Sequence, residues 1–258
     1  MIHLSVNVNK VAALRNARGG DAPSVIEAVR VCIDAGAAGI TVHPRADARH
    51  ITFDDVRDIA AELAQRASDG DELNIEGDAR PDLIALVSTV RPTQCTLVPV
   101  VPGERTSQGT WPADADTDEL RRTIRRLRGV GVRVSLFIDA AAEAVRWAAS
   151  LGPDRIELFT EPYARAFRQG PEAAEQSFRR FAEMATLAHG LGLGVNAGHD
   201  LDHQNLVRFR ELPHLAEVSI GHALISRARF HGLDRVVHEY REVLRGPGAS
   251  VGAVPNAR

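Results

Sequence analysis

The stretch SIGHALI, Ser219 to Ile225, begins as a strand and ends as the opening of a helix. Its first residues form an apolar run of strand type, and Gly221 followed by His222 stands at the junction. A strand that passes straight into a helix is one unit of a strand-helix repeat, and the same unit recurs along the whole chain. The strand-like runs are HLSVNV (3–8), GITVH (39–43), LNIE (73–76), CTLVP (95–99), RVSLFI (133–138), RIELF (155–159), GVNA (194–197) and EVSIG (217–221). Each is short and rich in Val, Ile or Leu, as strands covered on both faces should be. Between them lie helical runs such as SVIEAVRVCIDAG, FDDVRDIAAELAQR, TDELRRTIRRLRGVG and EQSFRRFAEMATLAHGLG. Ser24, Thr52 and Thr117 stand near helix starts, and Gly36, Gly131, Gly152 and Gly192 fall where helices stop.

Eight such repeats in 258 residues predict an α/β chain forming a single (β/α)8 TIM barrel with extra short helices, over residues 1–245. The competing reading is a doubly wound open sheet, but no Gly-rich dinucleotide turn follows the first strand. The longest interruption, Val100 to Asp116 after the fourth strand, is expected to be a lid loop. The tail over 246–258 is rich in Gly, Pro and Ala and is expected to be disordered.

Composition narrows the function. A hydrophobic content of 44% supplies one large core. The net charge of −3 and the lack of a long basic tract speak against nucleic acid or an anionic membrane as partner. No apolar run is long enough to span a bilayer, and the chain opens MIHLSVNV without a signal peptide, so a cytoplasmic protein is expected. Cys32 and Cys95 lie in apolar runs and read as buried free thiols, not as a metal or disulfide framework. Lys10 is the sole lysine among many arginines.

In barrels of this class the active site lies at the C-terminal ends of the strands. That rule gathers Asn7, Asn9 and Lys10 after the first strand, with Arg18 further on; His43, Arg45 and His50 after the second; and Glu76 at the end of the third. It adds Glu157 on the sixth strand, Asn196, Gly198 and His199 on the seventh, and Gly221 and His222 after the eighth. Polar groups are thus expected at one rim of an otherwise apolar cylinder. The loops after the last two strands form the usual phosphate site of the fold. AGHD and IGHA would bring a glycine N–H and the positive end of a helix to that place. Either Gly-His alone also reads as a tight turn with a surface histidine; the two together favour an anion site. Arg18, Arg45 and His50 form a candidate second anion site, while Arg45 and Arg49 in PRADAR also read as a solvated loop. Glu76 is a candidate base if enclosure lifts its pKa, and otherwise a buried partner of an arginine. His43 and His199 would be its acid and base partners, and Glu157 would stabilise a cationic imine or orient a histidine.

Seven motifs, VNVNKVAALRNARGG, TVHPRADARHIT, LNIE, RVSLFID, IELFTEPYA, VNAGHDL and SIGHALI, occur in an order that resembles the pyridoxine 5′-phosphate synthase family of vitamin B6 biosynthesis. The resemblance covers nearly all of the chain. It implies condensation of 3-amino-2-oxopropyl phosphate with 1-deoxy-D-xylulose 5-phosphate, no metal or organic cofactor, and a homo-octamer. It also implies that His43 and Glu76 accept protons, that His199 donates one and that Glu157 stabilises the transition state. Asn7, Arg18, Asp200, Gly221 and His222 would hold the aminoketone phosphate. Asn9, Lys10, Arg45, His50 and Thr106 would hold the deoxyxylulose phosphate. Two positions depart from many members: Asn9-Lys10 stands where Asp-His is common, although a subgroup has Asn-Lys, and Asp200 stands where Gly is common. These changes bear on substrate affinity more than on reaction type.

Three rivals remain at this stage. A Schiff-base aldolase would use Lys10. A metal-dependent hydrolase would want clustered histidine and carboxylate ligands, which VNVNK does not offer. A non-catalytic phosphate-binding barrel would need the anion sites but not Glu76.

Overall fold

In the computed structural model, which describes residues 1–66, 70–99, 109–112 and 117–246, eight parallel strands close into a barrel in chain order. They are β1 (His3–Asn7), β2 (Gly39–Val42), β3 (Glu72–Gly77), β4 (Gln94–Leu97), β5 (Arg133–Ile138), β6 (Arg155–Phe159), β7 (Gly194–Gly198) and β8 (Leu215–Ile220). The pairing of β1 with β8, Leu4 opposite Val218, shuts the ring. The described helices are α1 (Asn9–Asn16), α2 (Val25–Asp34), α3 (Phe53–Gln65), α4 (Pro81–Val90), α5 (Thr117–Gly129), α6 (Ala142–Leu151), α7 (Glu161–Gln169), α8 (Pro171–Gly190), α9 (Leu206–Phe209), α10 (His222–His231) and α11 (Leu233–Arg245). Every strand read from the sequence falls on one of the eight, and the TIM barrel is the observed fold.

Local chemistry sets the helix ends. Ser24 Oγ accepts from the Glu27 N–H at 3.1 Å, and Thr52 and Asp55 make a reciprocal capping box at the start of α3. Gly152 closes α6 at φ 77°, a conformation that favours glycine. Cys32 and Cys95 are buried free thiols, each pushed up to about 12 by burial.

The barrel interior corrects the expectation of an apolar cylinder. Along each strand alternate residues point to opposite faces. Leu4, Val6, Ile40, Val42, Ile75, Leu97, Leu136, Ile156, Val195 and Val218 belong to the apolar core shared with the helices. The residues between them are polar and buried: Ser5, Thr41, Asn74, Gln94, Thr96, Ser135, Glu157, Asn196, Glu217 and Ser219. They fill the inside of the ring. Asn196 of β7 donates to Gln94 Oε1 of β4 at 3.3 Å, through the interior of the ring and past β5 and β6. Asn74 links Thr41 at 3.4 Å and Thr96 at 3.0 Å. At the N-terminal end Arg155 and Arg133 approach Glu217 at 3.5 and 3.9 Å, and Arg133 also pairs with Glu72. Buried polar groups are stable when partnered, and this network supplies partners both from adjacent strands and across the ring, with Ser135 Oγ the exception among the described residues. The floor is thus an ion-pair cluster, and the opposite end of the ring is left for chemistry.

Candidate active site

The polar phase of the strands continues to their C-terminal ends and places the mouth residues. Asn7 follows Ser5 by two positions, His43 follows Thr41, Glu76 follows Asn74, Gly198 follows Asn196 and Gly221 follows Ser219. A register shift of one residue would turn all of them outward.

Asn7 ties the first three strands together. Its Nδ2 donates to Glu76 Oε2 at 3.4 Å, and its Oδ1 accepts from the Asn9 N–H at 3.1 Å. Asn9 Oδ1 in turn accepts from the His43 N–H at 2.9 Å. His43 Nδ1 lies 3.9 Å from Glu76 Oε2, and the His43 ring meets His50 edge-on at 6.2 Å. Burial pushes Glu76 up to about 7; the Glu217 charge adds to this and His199 opposes it. Burial also pushes His43 down to about 3, helped by His50, Arg45 and Arg80. His50 is pushed down to about 4, by burial first and then by Arg45 and Lys10. A carboxyl that titrates near neutrality beside imidazoles that stay uncharged is a proton-transfer set. The cations that depress the histidines make the same region attractive to anions.

Among the buried side-chain atoms at this end, His43 Nε2 and Glu157 Oε2 have no hydrogen-bond partner among the described residues. Glu157 reaches the mouth because Gly198 has no side chain; a Cβ there would sit 2.0 Å from Glu157 Oε1. Burial raises the Glu157 carboxyl well above the usual range, and the Glu76 and Glu217 charges raise it further. Orphaned atoms of this kind are where a ligand group completes the hydrogen bonding.

The loops after β7 and β8 form the other side. His199 and Asp200 both adopt left-handed backbone, at φ 78° and 58°. Thr160 Oγ1 donates to the Gly198 carbonyl at 2.8 Å and also to the His199 carbonyl. The His199 ring packs edge-on against Phe159 at 5.1 Å, and its Nδ1 lies 2.6 Å from Asp200 Oδ2. Gly221 lets β8 end against Asn7: an added Cβ would be 3.0 Å from Asn7 Cβ and 3.1 Å from its carbonyl oxygen. The ten-residue helix α10 starts one residue later at His222, so its positive end opens at the mouth.

Asn7, Asn9, His43, His50 and Glu76 are therefore brought together, with Lys10 and Arg45 close enough to perturb the histidines electrostatically. His199 is linked to Glu76 by charge, and Asp200 to His222. Arg18 is exposed past the end of α1, and among the described residues its side chain makes no hydrogen bond or ion pair. Thr106, and with it most of the expected lid loop, lies outside the described residues. Trp111, further along the same interval, donates from Nε1 to the Leu97 carbonyl at 2.9 Å. Sequence reasoning passed over Arg80, whose Nη2 donates to the Pro44 carbonyl at 2.5 Å and whose charge acts on His43. The rule that picked Glu76 covers Arg80 as well, since it lies in the loop after β3. Thr160 and Phe159, which seat His199, were also missed. Among the described residues no group of three His, Cys, Asp or Glu side chains is placed to hold a metal ion, and no helix is long and apolar enough to cross a membrane.

A parallel barrel with a near-neutral carboxyl, uncharged imidazoles and glycine turns at one end is the architecture of an acid-base enzyme that handles small anionic substrates. The chain belongs to the family described as pyridoxal phosphate biosynthesis protein PdxJ, whose model matches residues 4–246. It is 48% identical over 246 residues to pyridoxine 5′-phosphate synthase of Bacteroides thetaiotaomicron, covering 95% of this chain and 100% of that one. It is 46% identical over 260 residues to pyridoxine 5′-phosphate synthase of Xanthomonas oryzae pv. oryzae, covering 98% and 99%. Among solved structures it resembles 3-hexulose-6-phosphate synthase from Salmonella typhimurium, with a TM-score of 0.64 at 13% identity over 95% of this chain and 99% of that one. It also resembles tryptophan synthase from M. tuberculosis, with a TM-score of 0.61 at 10% identity over 95% and 94%. At such identities these two likenesses show the barrel fold alone.

Proposed function

We propose that the protein condenses 3-amino-2-oxopropyl phosphate with 1-deoxy-D-xylulose 5-phosphate to give pyridoxine 5′-phosphate, inorganic phosphate and water. The observation that carries the reading is the contact set of Asn7, His43 and Glu76, in which a carboxyl near 7 stands beside an uncharged imidazole. The amine of one substrate attacks the ketone of the other and water leaves, forming an imine. Proton removal then drives loss of phosphate, an aldol-type addition closes the ring, and a second water leaves as the ring becomes aromatic. Each step moves a proton, so groups that titrate near neutrality are needed. Orientation of the two reactants supplies a further large share of the rate.

In this reading Glu76 and His43 accept protons and His199 donates one. Glu157 sits against the imine; a cation there favours its ionised form and so stabilises the developing positive charge. Asn7, Arg18, Gly221, His222 and the backbone of Asp200 hold the aminoketone phosphate. Asn9, Lys10, Arg45, His50 and Thr106 hold the deoxyxylulose phosphate, Lys10 as a cation and not as a Schiff-base nucleophile. The chemistry uses no metal or organic cofactor, and the protein works as a cytoplasmic homo-octamer. Mixing the purified protein with both substrates tests the proposal. Equimolar release of pyridoxine 5′-phosphate and inorganic phosphate is expected, with no borohydride-trapped adduct on Lys10. A trapped Lys10 adduct would support the aldolase instead, and binding of both compounds without turnover would support a non-catalytic phosphate-binding barrel.

A further inference from the structure

We propose that Asp200 is a positioning residue for His199: its carboxylate accepts a hydrogen bond from His199 Nδ1–H and leaves Nε2 as the ring nitrogen that meets substrate, taking up a proton there and donating it in a later step. The inference rests on the function proposed above and adds a role for the Asp200 side chain, distinct from phosphate binding by the loop backbone.

The contact is short. Nδ1 and Oδ2 are 2.6 Å apart, within the range of charge-assisted bonds. A carboxylate only accepts, so the proton of the neutral ring must sit on Nδ1. The ring is also fixed on another side by the edge of Phe159 at 5.1 Å and an interplanar angle of 73°.

The backbone makes the contact possible. Two successive non-glycine residues with left-handed φ are unusual and persist only where neighbours enforce them. Here neighbours do. Thr160 Oγ1 bonds the Gly198 and His199 carbonyls, and Asn205 Nδ2 donates to the Asp200 carbonyl at 3.2 Å. Asn205 is itself locked, with its Oδ1 accepting from the Asp202 N–H at 2.9 Å. Strain held in place this way concentrates where a side chain must be aimed.

The geometry also resolves an electrostatic conflict. A free carboxylate in a loop that binds phosphate would repel it. Turned onto His199, the Asp200 carboxyl is held below its ordinary value by that hydrogen bond first, with Arg168 and His222 adding charge. The N–H groups of the loop remain open to an anion.

Asp200→Gly is the informative variant. Glycine suits a left-handed φ and keeps the backbone N–H, so folding and the phosphate contact survive. Loss of the side chain is expected to lower kcat about 10- to 100-fold, as misplacement of a reacting group does, with KM for either substrate within about threefold. Asp200→Glu, which restores an acceptor, is expected to recover most of that loss. Histidine-selective 15N NMR of the free protein at alkaline pH gives a readout independent of turnover. The His199 signals, assigned by their absence in His199→Gln, are expected to report Nδ1–H in the wild type and a mixed tautomer in Asp200→Gly. An unchanged tautomer overturns the proposal, as does a kcat within twofold of wild type with the whole effect in KM. If the wild type makes no pyridoxine 5′-phosphate, the proposed function fails while the tautomer measurement still decides the role of Asp200.

Discussion

His43 Nδ1 stands 3.9 Å from Glu76 Oε2, in contact but too far for a tight hydrogen bond. The gap leaves the shared oxygen available to a substrate proton, while Asn7 holds it from the side at 3.4 Å. Glu76→Gln keeps the shape and the Asn7 contact but removes the base. Its kcat is expected to fall about 10²- to 10⁴-fold with little change in KM, measured by steady-state release of phosphate. A variant with full activity would take Glu76 out of the proton transfer.

The pH profile follows from the same site. Glu76 titrates near 7 and acts as a base only when ionised, so kcat is expected to rise from about pH 6 and level off above about pH 8. His43, at about 3, stays uncharged through that range and contributes no limb of its own. In Glu76→Gln the residual rate is expected to lose this rise. A wild-type profile flat between these limits would contradict the assignment.

The positions of these groups were legible in the sequence, but the reason for them was not. LNIE, GITVH and SIGHALI marked strand ends, and the rule that barrels react at that end named Glu76, His43 and Gly221. The short runs of Val, Ile and Leu were read as apolar on both faces, which hid the alternation within them. RIELF and EVSIG each carry a glutamate in the inward phase, Glu157 and Glu217, and LNIE carries Asn74 below Glu76. Period-two reading of the strands places all of these inside the ring. The contact of Asp200 with His199 was beyond reach because it depends on backbone angles that a non-glycine sequence does not announce.

Gly198 is predicted to be essential through Glu157. A Cβ at that position would lie 2.0 Å from Glu157 Oε1, so Gly198→Ala must displace the carboxyl or bend β7. Overpacking of this kind costs about 1–3 kcal/mol, and urea unfolding should show it. Activity is expected to fall further than stability, by about 10-fold or more, because the displaced group faces the reacting atoms. Wild-type stability and rate in Gly198→Ala would show that Glu157 does not need that space.

The floor of the barrel gives a stability prediction. Glu217 is pushed up to about 7, by burial first and by the charge of Glu72, against the pull of Arg155 and Arg133. The unfolded chain releases this proton near the ordinary value of 4.5, and the folded one releases it near 7. Its contribution is therefore fully present below the lower value and is lost as pH rises through the upper one. Glu217→Gln removes the titration. The unfolding free energy of the variant relative to wild type is expected to shift in favour of the variant between about pH 5 and pH 8, whatever its starting sign. Parallel urea curves at the two pH values read the shift, and a constant difference would contradict the assigned titration.

The central claim is that the inward phase of eight strands delivers His43, Glu76, His199 and the Gly221 backbone to one cavity that holds two phosphorylated molecules. A crystal structure of Glu76→Gln with 1-deoxy-D-xylulose 5-phosphate and inorganic phosphate bound tests it most directly. Two phosphate groups are expected at the same mouth, one on the Gly221-His222 turn and one beside Arg45 and His50, with residue 76 between them. Phosphates on different faces of the barrel, or a single site with no second anion near Arg45, would contradict it.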